Sequence, residues 1–203
     1  VGYYAYVRSL FIDGNFDFAN EFNRTLSPFP NTPTFPVYAA TGYTTNPWSV
    51  GPAIVWTPFW LIGHAIVRMT HGFTQWASDG YAAPYVIMTC FVSSIAGLFT
   101  MYATYALTRR WFSRSVALYT STSLFLGTNI LFYAQYVGSY PHSLSACFAS
   151  VLVLLTVRIT DNPDVPWWHW VRLGVTGGFL VLSYWMNGII CLFPMIVLLH
   201  CWW

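Results

Sequence analysis

The chain has 203 residues, of which 56% are hydrophobic, 20% aromatic and 7% charged, and its formal net charge is +2. A soluble domain carries about 25% charged residues, so this composition excludes an ordinary water-exposed globular surface. The eight basic residues are all arginine and form no long basic run, which excludes the charge pattern of a nucleic-acid-binding protein. The composition predicts an all-α, polytopic membrane protein.

Residues 1–46 differ from the rest of the chain because they hold three of the six acidic residues. Residues 2–12 are predicted to form a short aromatic helix that ends at Asp13-Gly14, since glycine commonly terminates helices. The proline-rich stretch at residues 28–33 predicts a loop, because proline lacks the N–H group that a helix needs.

Five apolar segments follow, and a sixth comes almost directly after the fifth. Most of them approach the ~20 residues with which an α-helix crosses the hydrocarbon core of a bilayer. Tryptophan and tyrosine recur at the segment ends, as expected where helices meet the membrane interface. We therefore expect five or six membrane helices. The segments cover residues 47–67, 82–107, 116–136, 143–157, 171–184 and 188–203.

The arginines predict the orientation of these helices. Three of them cluster between the second and third segments, and two flank the link between the fourth and fifth. The positive-inside rule places both links in the cytoplasm. The turns at residues 135–142 and 184–187 are then expected on the opposite face. The five arginines are Arg109, Arg110, Arg114, Arg158 and Arg172.

The first apolar segment has two interpretations. If residues 47–67 span the membrane, Arg68 is the one arginine outside; if they do not, Arg8 and Arg24 lie outside as well. The positive-inside rule favours a span. The prolines and glycines of the segment instead favour an interrupted or re-entrant element that packs on protein. Both interpretations stay open on the residues alone.

Asp13, Asp17 and Glu21 are spaced four residues apart. On a continuous helix they would share one face, although Gly14 argues against such a helix. Three carboxylates beside a membrane could bind a cation, hold an arginine such as Arg8, or act as a general base; a solvated polar loop is the alternative. No cofactor is predicted, because the four cysteines lie in apolar runs without metal-ligand spacing, and nothing further supports a divalent cation.

Residues 3–22 resemble the first extracytoplasmic loop of membrane glycosyltransferases with the GT-C fold, of the protein O-mannosyltransferase and aminoarabinose-transferase type. Their sequence, YYAYVRSLFIDGNFDFANEF, departs from the bacterial pattern YYxYxRSLxxDGDxDFxNEY only at Asn15 and Phe22. Weaker matches extend over almost the whole chain. They are NPWSVGP at residues 46–52, RRWF at 109–112, SYPHS at 139–143 and the helical pair from Gly177-Gly178 to Pro194.

The resemblance implies a GT-C-like helical fold in which residues 1–70 form an extracytoplasmic loop with juxtamembrane helices. Residues 71–203 would form the transmembrane bundle. The loop at residues 1–46, His142 and the turn at residues 184–187 would then meet on one face of the membrane, as an active site requires. A bacterial inner membrane is the implied location.

The implied activity is inverting transfer of a sugar from a polyprenyl-phosphate donor to an acceptor hydroxyl. A carboxylate would act as general base, and cationic groups would stabilise the departing lipid phosphate. The donor and membrane lipids are the implied partners, with no role for nucleic acid. The implied catalytic residues are Asp13, Asp17 and Glu21, and the implied substrate-binding residues are Tyr3, Arg8, His142 and Asn187.

Two features depart from the family pattern. The family's principal catalytic aspartate would stand ahead of Val1, and the chain stops within an apolar run, so we expect it to be part of a longer protein. Tyr184 stands where the family often has a basic residue that meets the lipid phosphate. The alternative is therefore a non-catalytic membrane subunit, derived from such an enzyme or merely helical, that packs against a larger membrane complex. A transporter is less well supported, since the sequence has no inverted repeat.

Overall fold

The computed structural model describes residues 2–26 and 35–202. This part of the chain is mostly helical, which confirms the all-α fold class. The proline-rich stretch at residues 28–33, predicted as a loop, lies outside the described residues. The chain divides into two units, Val1–Val92 and Ser93–Trp203, and the boundary falls inside one long helix.

The first unit begins with α1 (Gly2–Arg8), which continues directly into a π-helical segment (Ser9–Asp13). The segment ends at Gly14, whose φ of 67° lies in the left-handed region that favours glycine. The predicted aromatic helix and its end at Asp13-Gly14 are thus confirmed, with the last turn wound more widely than an α-helix.

The rest of the first unit contains two helices, a small hairpin and the start of a third helix. These are α2 (Ala19–Leu26), the antiparallel strands β1 (Val37–Tyr38) and β2 (Tyr43–Thr44), α3 (Gly51–Met69) and the first part of α4 (Ala83–Thr108). In α3, Trp56 and Trp60 are fully buried. A Cβ added at Gly63 would lie 2.8 Å from the carbonyl oxygen of Pro84, so this glycine lets α3 approach the start of α4 closely.

The second unit contains the rest of α4 and a series of helices joined by short links. They are α5 (Arg114–Gly127), α6 (Asn129–Gln135), α7 (His142–Asp161), α8 (Trp167–Ser183), a 3-10 helical segment (Trp185–Cys191) and α9 (Leu192–Trp202). The core that α7 and α8 share is aliphatic, with Leu152, Ile159 and Leu180 at most 1% exposed.

The third apolar segment forms two helices, α5 and α6, that are bent by 65°. Thr128 explains the break, because its extended backbone ends α5 while its hydroxyl accepts a hydrogen bond from the N–H of Ile130 and caps α6. The sequence predicted one continuous segment here.

Among the described residues, α4 and α7 are long and apolar enough to cross a membrane, and the bent pair α5–α6 makes a third if it counts as one span. These helices support the membrane protein that the composition predicted. Five or six spans are not supported, because α8 has 17 residues and α9 has 11, both short of the ~20 that a span needs. The helix α3, with Pro58 in its interior, is not among the candidate spans.

Candidate functional site

Arg8 is the centre of a charged cluster in the first unit. Its Nη1 lies 2.5 Å from Asp13 Oδ2 and 2.7 Å from Glu21 Oε1. Its Nε donates to the carbonyl oxygen of Asp79 at 2.9 Å. Because Arg8 is 8% exposed and Glu21 is 1% exposed, this is a buried ion pair rather than a solvated polar loop.

The local fold explains why these side chains meet. Asp13 ends the π-helical segment that continues α1, and Glu21 lies in the first turn of α2. The left-handed Gly14 turns the chain between them. Asn20, next to Glu21, donates from Nδ2 to Asp13 Oδ2 at 2.8 Å, which ties the two elements together. The hydrogen bond from Arg8 to the carbonyl oxygen of Asp79 anchors the loop that precedes α4.

The two carboxyls of the cluster differ in their acidity. Burial would raise the pKa of Asp13, but the hydrogen bond from Asn20 and the charge of Arg8 outweigh it and hold that pKa below its usual value. Burial dominates at Glu21 and raises its pKa above the usual value, against the hydrogen bond from Arg8. Asp13 is therefore the carboxylate that stays ionised to the lower pH.

Asp17 does not join the charged cluster. Its Oδ1 accepts hydrogen bonds from the N–H of Ala19, the first residue of α2, at 3.2 Å and from the N–H of Thr44 in β2 at 3.0 Å, so it ties β2 to the start of α2. The three acids do not share one helix face, because the left-handed Gly14 ends the first helix before Asp17. The structure therefore brings two of the three predicted acids together.

The loop before α4 contributes two residues that sequence reasoning missed. The ring of Tyr81 is within cation–π range of two guanidiniums, 4.9 Å from Arg8 Cζ and 4.1 Å from Arg24 Cζ. Asp79 pairs with Arg24 at 3.0 Å. No local sequence pattern singles out either residue, since aspartate is common in loops.

The tyrosines at the start of α1 have separate contacts. Tyr3, predicted to bind substrate, packs edge-on against Trp48 with ring centroids 6.5 Å apart and is 8% exposed. The hydroxyl of Tyr4 donates to the carbonyl oxygen of Gly80 and accepts from Trp60 Nε1, the latter at 2.7 Å. These contacts fix α1 against α3 and against the loop that holds the charged cluster.

His142 and Asn187 lie in the second unit, near the ends of α7 and α8. The His142 ring contacts the rings of Tyr133 and Tyr184, with centroids 4.3 and 6.4 Å away. Asn187 Nδ2 donates to Ser145 Oγ at 3.0 Å, and the Asn187 N–H donates to the Tyr184 carbonyl at 2.9 Å. The structure thus places both predicted residues beside Tyr184. The sequence pattern of tyrosines at segment ends predicted a membrane interface, but it did not predict that Tyr133 and Tyr184 contact His142.

The meeting of His142 with the loop at residues 1–46 stays a prediction, as do the catalytic and substrate-binding roles of the predicted residues. Within residues 2–26 and 35–202, no group of three or more His, Cys, Asp or Glu side chains is placed to hold a metal ion. Chemically, the charged cluster offers an ionised carboxylate, Asp13, whose side chain is 19% exposed and rigidly held by a cation. Such a group can accept a hydrogen bond from a hydroxyl.

Comparison with models of protein families, with curated proteins and with solved structures finds no match to this chain.

Proposed function

We propose that this chain belongs to an inverting glycosyltransferase that moves a sugar from a polyprenyl-phosphate donor to an acceptor at the extracytoplasmic face of a membrane. The observation that carries the proposal is the buried Arg8–Asp13–Glu21 cluster. It is built from the residues of the motif that resembles the first loop of GT-C transferases, and it lies in the same unit as the first part of a membrane-capable helix.

In this proposal the loop acids position the reacting groups. Asp13 is ionised and partly accessible, so it can hold an acceptor hydroxyl by a hydrogen bond. Glu21 is buried against Arg8, and Asp17 ties β2 to the start of α2, so both keep the loop rigid. Rigid placement matters because a misplacement of about 1 Å can slow a reaction about 10²-fold.

The donor would use the apolar and aromatic surface of the helices. His142, Asn187 and the neighbouring tyrosines are proposed to line its path near the membrane surface. The exposed apolar residues of α9, including Met195, Ile196 and Leu199, support a membrane location for this helix as well. With α8 and α9 also in the bilayer, and α5–α6 counted as one span, the bundle would have five membrane helices, in a GT-C-like fold in a bacterial inner membrane.

Two observations favour a second candidate, a non-catalytic subunit of a larger membrane complex. The charge of Arg8 is already matched by Asp13 and Glu21, so it is a poor partner for a lipid phosphate. Tyr184 likewise brings no positive charge to the position where the related enzymes often have one. A scaffold that retains the fold would need neither contact.

Sugar transfer by the full-length protein in membrane vesicles, supplied with radiolabelled polyprenyl-phosphate sugars, tests the proposal. We expect labelled product from the wild type and about 10²-fold less from Asp13→Asn. The matched control is Asp164→Asn, which removes an exposed aspartate from the link between α7 and α8 and should leave the rate unchanged. The absence of product with every donor would reject the transferase and favour the subunit.

A further inference from the structure

A cavity of about 350 Å³ lies between α4 and α5 in the second unit, apart from the charged cluster. Its volume falls within the ~300–1,000 Å³ range of small-molecule sites. Its wall combines apolar side chains with two tyrosines, one serine and one arginine. The lining includes Leu98, Tyr102, Tyr105, Arg114, Leu118 and Ser121.

The cavity is a groove that opens sideways from the helices. Leu98, Tyr102 and Leu118 are 57%, 59% and 51% exposed, so the side chains of its wall face the surroundings of the protein. Because α4 is a membrane-capable helix and α5 begins the bent pair, a bilayer around these helices would bring lipid into contact with the groove.

Both ends of the groove are defined. Near one end an added Cβ at Gly97 would lie 2.8 Å from Ala134 Cβ in α6 and 3.2 Å from the ring of Phe125 in α5. The small residues Gly97 and Ala134 therefore let α4 approach the bent pair closely there. At the other end α4 and α5 are joined by the short link at residues 109–113. The groove occupies about two helical turns between them, and Arg114 lies at the link end.

Arg114 gives the groove an unmatched positive charge. It is exposed at the first position of α5, and among the described residues no acidic side chain forms a salt bridge with it. Its neighbours differ, since Arg110 pairs with Asp161 and Arg109 donates to the carbonyl oxygen of Phe112. The phenol groups of the lining add hydrogen-bond donors that suit phosphate oxygens.

We propose that this groove binds one anionic phospholipid, with its phosphate at Arg114 and the first part of an acyl chain along Leu98 and Leu118. The charge of Arg114 selects an anionic over a neutral lipid, and the apolar wall selects a lipid over free phosphate. The arginine-rich link is predicted to be cytoplasmic, and the cytoplasmic leaflet carries the negative surface potential. The site goes beyond the proposed sugar transfer and does not depend on it.

Native mass spectrometry of the full-length protein, released from micelles that contain equal amounts of phosphatidylglycerol and phosphatidylcholine, tests this site. The wild type should retain phosphatidylglycerol in excess over phosphatidylcholine. Arg114→Gln should reduce that excess about fivefold, the effect of one arginine beside an anionic lipid. Arg158→Gln is the matched control, since it removes another exposed arginine near a predicted cytoplasmic link, and it should change nothing.

A second variant separates the groove from its charge. Leu118→Trp keeps Arg114 and fills the apolar wall, so it should also lower the retention of phosphatidylglycerol, whereas millimolar inorganic phosphate should not displace the lipid. Equal retention of the two lipids by the wild type would overturn the site. So would an equal loss in Arg114→Gln and Arg158→Gln, full retention by Leu118→Trp, or displacement by inorganic phosphate.

Discussion

The two units of the chain bury different kinds of polar group. In the first unit the buried polar residues include an ion pair, Arg8 with Glu21. In the second unit, counting only the described residues, every buried polar side chain is a serine or threonine hydroxyl. Hydroxyls can be satisfied by the backbone of a helix, as Thr156 is by the carbonyl oxygen of Leu152, whereas a buried charge needs a partner from another element.

The two units are therefore held together by different interactions. The second unit has the small residues and hydroxyls that are typical of packed membrane helices. The first unit holds its short elements together with a charged cluster and aromatic hydrogen bonds. A buried, paired charge contributes little net stability compared with apolar packing, whereas removal of one partner is costly because the other charge stays buried.

Removal of the central cation should have the largest effect. Arg8→Ala removes the cation against which Glu21 is buried, which costs about 3–5 kcal/mol in the free energy of unfolding. Arg24→Gln is the matched control, because Arg24 is 55% exposed and its ion pair with Asp79 is worth at most about 1 kcal/mol. Chemical unfolding in detergent, followed by tryptophan fluorescence, measures both. Similar losses from the two variants would show that the buried ion pair matters no more to stability than the exposed one.

The helix contact of the second unit should be the next most sensitive. Gly97→Val forces a side chain against Ala134 and Phe125, and such overpacking costs about 1–3 kcal/mol. The control is Gly174→Ala in α8, where an added Cβ meets no atom within 4 Å, so helix propensity should raise stability by up to about 1 kcal/mol. The same unfolding experiment reads both changes, and a tolerated Gly97→Val would contradict the close approach.

The aromatic hydrogen bonds of the first unit should contribute less. Tyr4→Phe leaves the Trp60 N–H and the Gly80 carbonyl without the hydroxyl between them, at a cost of roughly 1–2 kcal/mol. Tyr38→Phe removes a hydroxyl from a side chain that is 60% exposed and should change stability by less than about 0.5 kcal/mol. Equal midpoints of thermal unfolding for the two variants would show that the Tyr4 hydroxyl is not structurally important.

The pH dependence of Asp13 should be the smallest effect. Its pKa is depressed in the folded protein, so its stabilising contribution is complete above the unfolded value of about 3.9 and is lost as the pH falls through the folded pKa. The pKa of Glu21 is raised in the folded protein, so the stability linked to its protonation is present in acid and is lost as the pH rises. Asp13→Asn should therefore be less stable than wild type at pH 7, with a gap that closes in acid. A gap independent of pH would exclude a role for the carboxylate charge.

The positions of the helices could be predicted well from hydrophobicity. The second and fourth apolar segments match α4 and α7 closely, because long uninterrupted apolar runs have one stable form in a bilayer. The bend between α5 and α6 could not be predicted in this way. The bend depends on Thr128, which caps α6, and one threonine hardly changes the hydrophobicity of the apolar segment around it.

The charged cluster was predicted in part. The four-residue spacing drew attention to the right acids, and Arg8 was expected as their partner. Asp17 lies apart from them because the left-handed Gly14 ends the helix, so the four-residue spacing no longer places the acids on one face. Tyr81 and Asp79 could not be found, since they reach Arg8 from about seventy residues away and no local pattern records a tertiary contact.

The side of the membrane on which the charged cluster lies tests the central claim most directly. In a variant without the native cysteines, Asn23→Cys places a thiol on α2 and Trp111→Cys places one in the arginine-rich link, both at exposed positions. In intact cells, a membrane-impermeant maleimide should label position 23 and should label position 111 only after the cells are opened. Protection of position 23 together with labelling of position 111 in intact cells would contradict both the orientation and the proposed extracytoplasmic transferase.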